Sequence, residues 1–261
     1  MMRSTSIIVL ALLFAYTGAL PQDRIINGND AAVGQIPFQV GLTLSDSLEN
    51  WWCGGSIIST NWVLTAAHCT DGAVYAIVYL GATDRTKPEK VLYVTNSNFI
   101  QHEEYARKPH IINDISLIKI PQITYTKNIQ KVAIPKISAS YSSYAGNIAT
   151  SSGWGITEEN TNVLPTNLQY VHLKIITNSL CNETYHSTLV NKGSLCTATP
   201  QATTTCEGDS GGPLVDLASG KLIGINSFVS GNGCEAGDPA GFVRVTAYLN
   251  WIRQNSGVVG V

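Results

Sequence analysis

Ser210 lies in Cys206-Glu207-Gly208-Asp209-Ser210-Gly211-Gly212-Pro213, with glycines two residues before it and directly after it. Glycine accepts a positive φ without steric cost, so such a stretch can turn sharply, push the hydroxyl outward and leave nearby N–H groups aimed at one point. Acyl transfer needs that arrangement: an exposed nucleophile beside preorganised donors for a developing oxyanion. A serine hydroxyl also needs a base. His68, in Leu64-Thr65-Ala66-Ala67-His68-Cys69, follows an apolar run, and Asp114, in Asn113-Asp114-Ile115-Ser116-Leu117-Ile118, opens one. A carboxylate at the head of an apolar strand is costly to bury without a partner. Taken singly, each has an ordinary alternative: a Gly/Pro turn, a packed or surface histidine, and a solvated turn residue of the kind expected at Asp71 and Asp84. The remaining histidines, at 102, 110, 172 and 186, have no comparable surroundings and are expected on the surface.

The elements that must position these residues are short runs rich in Val, Ile, Tyr and Trp, without helical periodicity. One set comprises 38–44, 54–59, 62–66, 74–80, 91–94 and 115–120; a second comprises 148–152, 169–176, 213–216, 222–229 and 241–245. Many short strands at this spacing predict an all-β barrel or sandwich in two units. Residues 129–138, with Pro135, read as the linker between them. One helix is predicted, from Thr246 to Gln254 with Gly257 as its stop.

The 261 residues carry 13% charged side chains and a formal net charge of -2, which argues against disorder and against a nucleic-acid partner. Arg3, an apolar run from Ile7 to Tyr16 and the small residues Thr17-Gly18-Ala19 read as a secretory signal over 1–19. The run is shorter than the roughly 20 residues that span a bilayer, and no later stretch reads as an anchor. A secreted, extracellular protein without a membrane partner is expected. Export gives the six cysteines, at 53, 69, 181, 196, 206 and 234, a disulfide role rather than a metal-binding one, since no C-x-x-C pair occurs. The sequence by itself leaves all fifteen pairings open. Neither a metal nor a cofactor is expected.

The three motifs, in the order histidine, aspartate, serine, resemble those of the chymotrypsin-like (trypsin-fold) serine peptidases, in particular arthropod digestive chymotrypsin, elastase and collagenolytic enzymes; the similarity covers the chain from Ile25 onward. The resemblance implies two six-stranded antiparallel β-barrels with the active site in the cleft between them, and a C-terminal helix. It implies a catalytic triad of His68, Asp114 and Ser210, an oxyanion hole from the N–H groups of Gly208 and Ser210, and for Ser227 both support of the aspartate and substrate binding, the backbone from Ser227 to Val229 pairing with the substrate as an added β-strand. It pairs Cys53 with Cys69, Cys181 with Cys196 and Cys206 with Cys234. It makes 20–24 an activation peptide, cut after Arg24 so that the new α-amine of Ile25 pairs with Asp209, and 25–261 the peptidase domain. Ala133 stands where relatives that tether their propeptide carry a cysteine, and Trp51 where some carry a histidine that restrains the zymogen aspartate. Ala82, after Leu80-Gly81, replaces the first glutamate of a calcium loop, so no calcium is expected there.

By the same resemblance, Thr204 floors the primary specificity pocket, with Val229 and Ala240 on its walls. A neutral floor leaves a buried cation unpaired, so small or medium apolar residues are expected before the scissile bond. Asp238 in the wall loop pulls the pocket toward basic side chains, as in collagenolytic relatives that recruit an acid from that region, and Glu207 at the rim favours basic residues in neighbouring subsites. The expected partners are protein or peptide substrates, an activating trypsin-like protease and serine protease inhibitors, for a monomeric digestive endopeptidase. Alternatives are a catalytically silent binding homologue, disfavoured because the triad is intact, and a cascade or venom protease with one target. Asn182-Glu183-Thr184 is a glycosylation sequon, used or unused.

Overall fold

The computed structural model describes residues 28–159, 161, 163–185 and 188–261. The signal and activation segments, with Arg24 and Ile25, lie outside the described residues. After the two-residue β1 (Asn29–Asp30), the first half contains β2 (Gln39–Ser45), β3 (Asn50–Ser59), β4 (Trp62–Thr65), the one-turn helix α1 (Ala67–Thr70), β5 (Tyr75–Leu80), β6 (Lys90–Thr95), β7 (Phe99–Gln101) and β8 (Ser116–Lys119). Their order in the sheet is β6-β5-β2-β3-β4-β8-β7. A 3₁₀ turn at Asn96–Asn98 joins β6 to β7. The two are therefore one kinked strand, which closes the sheet into a six-stranded barrel.

The second half contains β9 (Ile148–Gly153), β10 (Gln169–Ile176), α2 (Asn178–Tyr185), β11 (Ser194–Thr197), β12 (Pro213–Asp216), β13 (Lys221–Phe228), β14 (Ala240–Arg244) and α3 (Leu249–Ser256). Here β9-β10-β11-β14-β13-β12 runs in a ring, with β12 pairing back to β9, while β1 adds to β10 from outside. Closure removes the exposed strand edges that would otherwise pair with other chains.

Alternation fixes which face is inside. Along β10, Gln169, Val171, Leu173 and Ile175 are buried, while His172 and Lys174 point to solvent. Leu42, Ile57, Leu64, Val78 and Leu117 fill the first barrel, and Leu173, Leu195, Leu214 and Phe242 the second. Leu222 and Ile225 of β13, with Leu249 and Ile252 of α3, belong to the first barrel's core, so the halves share one packed seam. The connecting segment 129–138 joins that seam: Ile129, Val132 and Ile134 are buried there, and Ala133 bridges to Lys221. The single predicted helix divides into a 3₁₀ turn, Val245–Ala247, and α3, which ends at Gly257 in the left-handed conformation. Elements β1, α1, α2, β7 and β11 have no counterpart among the predicted runs, which include neither 29–30 nor 194–197. The last of these, β11, is four fully buried residues without alternation, and α2 buries only Cys181.

The cysteines pair as 53–69, 181–196 and 206–234. They tie β3 to α1, α2 to β11, and the serine loop to the loop before β14. Phe242 is fully buried at the centre of the second barrel. Phe242→Ala should cost roughly 3–5 kcal/mol of stability, seen as a lower urea midpoint, whereas His172→Ala on the outer face of β10 should leave the midpoint nearly unchanged.

Candidate active site

The loop before β12 is pinned to both barrels. Gly54 N in β3 donates to Ser210 O at 2.7 Å, Gly211 N donates to Asn226 O in β13 at 2.8 Å, and Gly212 N donates to Asp209 O at 2.9 Å. Gly208 and Gly211 have φ of 93° and 78°. A Cβ at 211 would lie 2.1 Å from Thr65 Oγ1 and 2.6 Å from Gly54 O, so both conformation and space demand glycine there. The Glu207 carbonyl accepts from Ile156 N at 2.8 Å. In a trans peptide the carbonyl and the following N–H point opposite ways, so this bond turns the Gly208 N–H away from Ile156. The N–H groups of Gly208 and Ser210 have no acceptor among the described residues, while those of Asp209, Gly211 and Gly212 are paired. The Ser210 side chain is half-buried.

His68 sits in α1, whose single turn presents it at the end of β4. Asp114, 2% exposed, receives three donors. His68 N gives to its Oδ1 at 2.8 Å, His68 Nδ1 to its Oδ2 at 2.7 Å, and Ser227 Oγ to Oδ2 at 2.6 Å. With Nδ1–H donating, the neutral ring has Nε2 free as a proton acceptor. The carboxylate therefore fixes both the orientation and the tautomer of the imidazole.

Several supports of this histidine were not read from the sequence. Arg107 Nη2 donates to His68 O at 2.9 Å and Arg107 Nε to Tyr105 Oη at 2.8 Å, and Nε also lies 3.2 Å from Asp71 Oδ2. Asp71 is thus half-exposed but paired. Burial raises the Tyr105 phenol to about 12. Gln101 Nε2 donates to Thr70 Oγ1 at 2.9 Å, and Thr70 Oγ1 donates to Ser116 Oγ at 3.0 Å, tying α1 to β7 and β8. Trp51 Nε1 donates to Cys69 O at 2.8 Å. His102, expected on the surface, is only 15% exposed. Its ring stacks on Trp251 and meets Tyr248 edge-on, because the chain between β7 and Asp114 packs over α3. His172 is exposed and bonds Thr150, His110 is half-buried, and His186 lies outside the described residues.

Asp209 is fully buried beside this loop. Its Oδ1 accepts from Gly155 N at 2.8 Å and its Oδ2 from Cys206 N at 2.9 Å. Burial raises its pKa to about 6, against the lowering effect of the two N–H donors. A Cβ at Gly153 or Gly155 would come within 2.1 or 2.4 Å of its carboxylate oxygens. No cation faces it among the described residues.

Thr204 is buried and its hydroxyl has no hydrogen-bond partner. Ala240 is fully buried opposite Thr197, and Val229 packs with Ile156 and the 206–234 disulfide. Asp238 spends its carboxylate on Ser230 Oγ at 2.5 Å and Asn232 Nδ2 at 3.0 Å, bonds that hold its pKa below the usual range. Glu207 is exposed. Phe228, which carries no role among the sequence-predicted site residues, lays its ring against Gly241 and meets Tyr185 edge-on at 5.2 Å between ring centroids. Asn182 donates to Val190 O at 3.1 Å.

The family model described as Trypsin matches residues 25–252. The chain is 44% identical over 237 residues to Serine protease 1 of Drosophila melanogaster, covering 91% of this chain and 87% of that protein. It is 40% identical to the Collagenase of Hypoderma lineatum, covering 97% and 98%. The solved structure titled HL collagenase superposes with a TM-score of 0.81 at 39% identity, over 89% of this chain and 98% of that one. Two closed antiparallel barrels, three disulfides and a family match over most of the chain converge: this protein belongs to the trypsin family and is a serine endopeptidase of the chymotrypsin fold.

Proposed function

We propose that the protein is secreted as a zymogen, is activated by cleavage after Arg24, and hydrolyses peptide bonds through an acyl-enzyme on Ser210 in digestive proteolysis. The observation that carries the reading is the pair of unspent N–H groups, Gly208 and Ser210, flanking the one serine on that turn. In the proposed mechanism, handled as for any Ser-His-Asp triad, Ser210 attacks the carbonyl while His68 Nε2 takes its proton. The oxyanion collects the two N–H donors. His68 then protonates the leaving amine, and a water repeats the sequence on the ester. Asp114 stabilises the imidazolium, and Ser227 holds Asp114. The alkoxide at the tetrahedral carbon is the charge that the loop's preorganised dipoles meet without rearranging.

Activation rests on Asp209. Its carboxylate is buried with only two backbone donors, and a buried charge of this kind calls for a cation. The α-amine of Ile25 would supply it and fix the 207–210 backbone. The pocket is proposed to take small or medium apolar side chains, since Thr204 supplies no charge and Asp238 is spent on Ser230 and Asn232. Such a pocket rejects Arg24, so a separate trypsin-like protease is proposed as activator. The mature enzyme is proposed to act as an extracellular monomer.

Ser210→Ala should lower kcat by roughly 10⁴–10⁶, and Asp114→Asn by about 10⁴ through loss of the useful tautomer; equal activity in either variant would sink the triad. On a peptide library the mature enzyme should cut after Ala, Val, Leu or Phe. Thr204→Asp should move cleavage toward Lys and Arg, and wild-type cleavage after Arg would overturn the pocket assignment.

Stability against pH tests the activation pair. In an uncleavable Arg24→Gln precursor the raised pKa of Asp209, about 6, means that the folded state gains a proton more readily than the unfolded one. Precursor stability should therefore fall as pH rises through 6. In the mature form the amine makes the ionised carboxyl favourable. The melting-temperature gap between mature protein and precursor should widen from pH 5 to pH 7.5; a constant gap would remove Asp209 from the activation step.

A further inference from the structure

Three polar groups of His68 are held and one is left for chemistry. Asp114 takes its backbone N–H and its Nδ1–H, and Nε2 is the proton acceptor of the proposed mechanism. The remaining group is the carbonyl, and its place in the chain gives it no ordinary partner. The last four carbonyls of a helix lack intrahelical donors. Helix α1 is a single turn, and its closing bond, from Asp71 N, goes to Ala67 O at 2.9 Å. Among the described residues no backbone N–H reaches His68 O. Arg107 Nη2 fills that place at 2.9 Å.

Arg107 is itself aimed by its neighbours. Its Nε donates to Tyr105 Oη at 2.8 Å and lies 3.2 Å from Asp71 Oδ2, and Asp71 is the residue that caps α1. The guanidinium therefore closes a circuit that leaves α1 at His68 and returns to it at Asp71. Its planar fork lets one side chain serve three acceptors in fixed directions. The base is firm as well. Ala106 and Ile112 exchange N–H···O bonds of 3.3 and 3.0 Å, and Asn113 Nδ2 donates to Glu104 O at 2.9 Å. The braced connection ends at Asp114, so one loop supplies both groups that grip His68: Asp114 at its amide and ring, Arg107 at its carbonyl. Burial opposes the guanidinium charge, but the Tyr105 phenol and the fields of Asp71 and Asp114 outweigh it and hold its pKa above the usual arginine value.

We propose that Arg107 is a positioning residue for the peptidase reaction. It acts through His68, fixing the backbone that carries the imidazole so that Nε2 is presented to the Ser210 hydroxyl. This inference rests on the triad proposed above. Orientation matters because a misplacement of about 1 Å can cost roughly 10² in rate. Losing one charge-assisted hydrogen bond, and with it part of the hold on α1, is expected to cost about tenfold. A half-exposed ion pair adds little stability, so the effect belongs to the rate and not to folding.

The test uses the mature enzyme, with acetyl-Ala-Ala-Leu-p-nitroanilide as substrate and phenylmethylsulfonyl fluoride as a small probe of the nucleophile, each variant being assayed well below its melting temperature. Arg107→Gln should lower kcat and the second-order rate of inactivation together, each about tenfold, with KM within about twofold of wild type. Arg253→Gln, an exposed change on α3, should leave both rates unchanged. Arg107→Lys should stay at least about threefold below wild type, because a single ammonium cannot reproduce the fork. In protein carrying nitrogen-labelled histidine, the downfield Nδ1–H resonance of His68 should broaden or shift in Arg107→Gln, which a role confined to stability would not bring about. Wild-type rates in Arg107→Gln, a loss confined to KM, an unmoved His68 resonance or full activity in Arg107→Lys would each overturn the positioning role. Failure of the triad reads differently: wild-type enzyme that phenylmethylsulfonyl fluoride leaves active would overturn the triad and this inference with it, whereas Arg107→Gln inactivated at the wild-type rate overturns the inference alone.

Discussion

A carboxylate with 2% exposure at the seam of two barrels is the constraint on which the rest depends. Asp114 heads β8 of the first barrel, and burying it ionised is tolerable only because three donors converge on it. Two come from the backbone and ring of His68, one turn beyond β4, and the third comes from Ser227 at the end of β13 in the other half. The relative placement of the two barrels is therefore recorded in the hydrogen bonds of one side chain. The same seam carries the Gly54 to Ser210 bond. A shift of one barrel against the other would break these bonds together, so the chemistry at the cleft is as rigid as the packing under it.

That rigidity goes with glycine at the points of closest backbone approach around the site. At Gly211 a side chain would strike Thr65 and the carbonyl of Gly54. At Gly153 and Gly155 it would strike the Asp209 carboxylate. The backbone approaches these groups because no Cβ intervenes, and the close approach brings N–H donors to bear on Asp209. Charges at the cleft edge are handled differently. Arg107 and Asp71, both about half-exposed, add little stability as an ion pair, but the guanidinium also holds the His68 carbonyl and the Tyr105 phenol, which ties the 102–113 loop to α1.

What could be read from the sequence follows from how local each signal is. The strands declared themselves by β-branched runs, and the serine, histidine and aspartate motifs by short strings whose geometry is built into their own neighbours. Strand β11 was not legible because all four residues are buried and none alternates. Helix α2 was not legible because its polar surface buries one cysteine. Arg107 and Phe228 were missed for a further reason. An arginine in a polar loop and a phenylalanine ending a strand have no local signature, and their roles come from residues 39 and 43 positions away in sequence, His68 and Tyr185. His102 was misplaced on the same ground: the aromatic rings that enclose it, Tyr248 and Trp251, come from the end of the chain.

The two buried aspartates separate a fixed part from a switchable one. Asp114 is saturated with donors from side chain and backbone, and its environment is complete as folded. Asp209 has two backbone donors, a pKa lifted to about 6 and no cation among the described residues. Asp114 is a member of the proposed triad and Asp209 adjoins its serine, and the difference in their satisfaction has a direct physical consequence. A group already in balance resists change, whereas a group held at a desolvation cost releases that cost when a positive charge arrives. Because Asp209 adjoins Ser210 through one peptide bond, an α-amine that pairs with it acts on the loop that presents the nucleophile and its N–H donors. Under the proposed activation, cleavage after Arg24 needs no long pathway: it delivers one charge to a buried carboxylate that has no cation among the described residues.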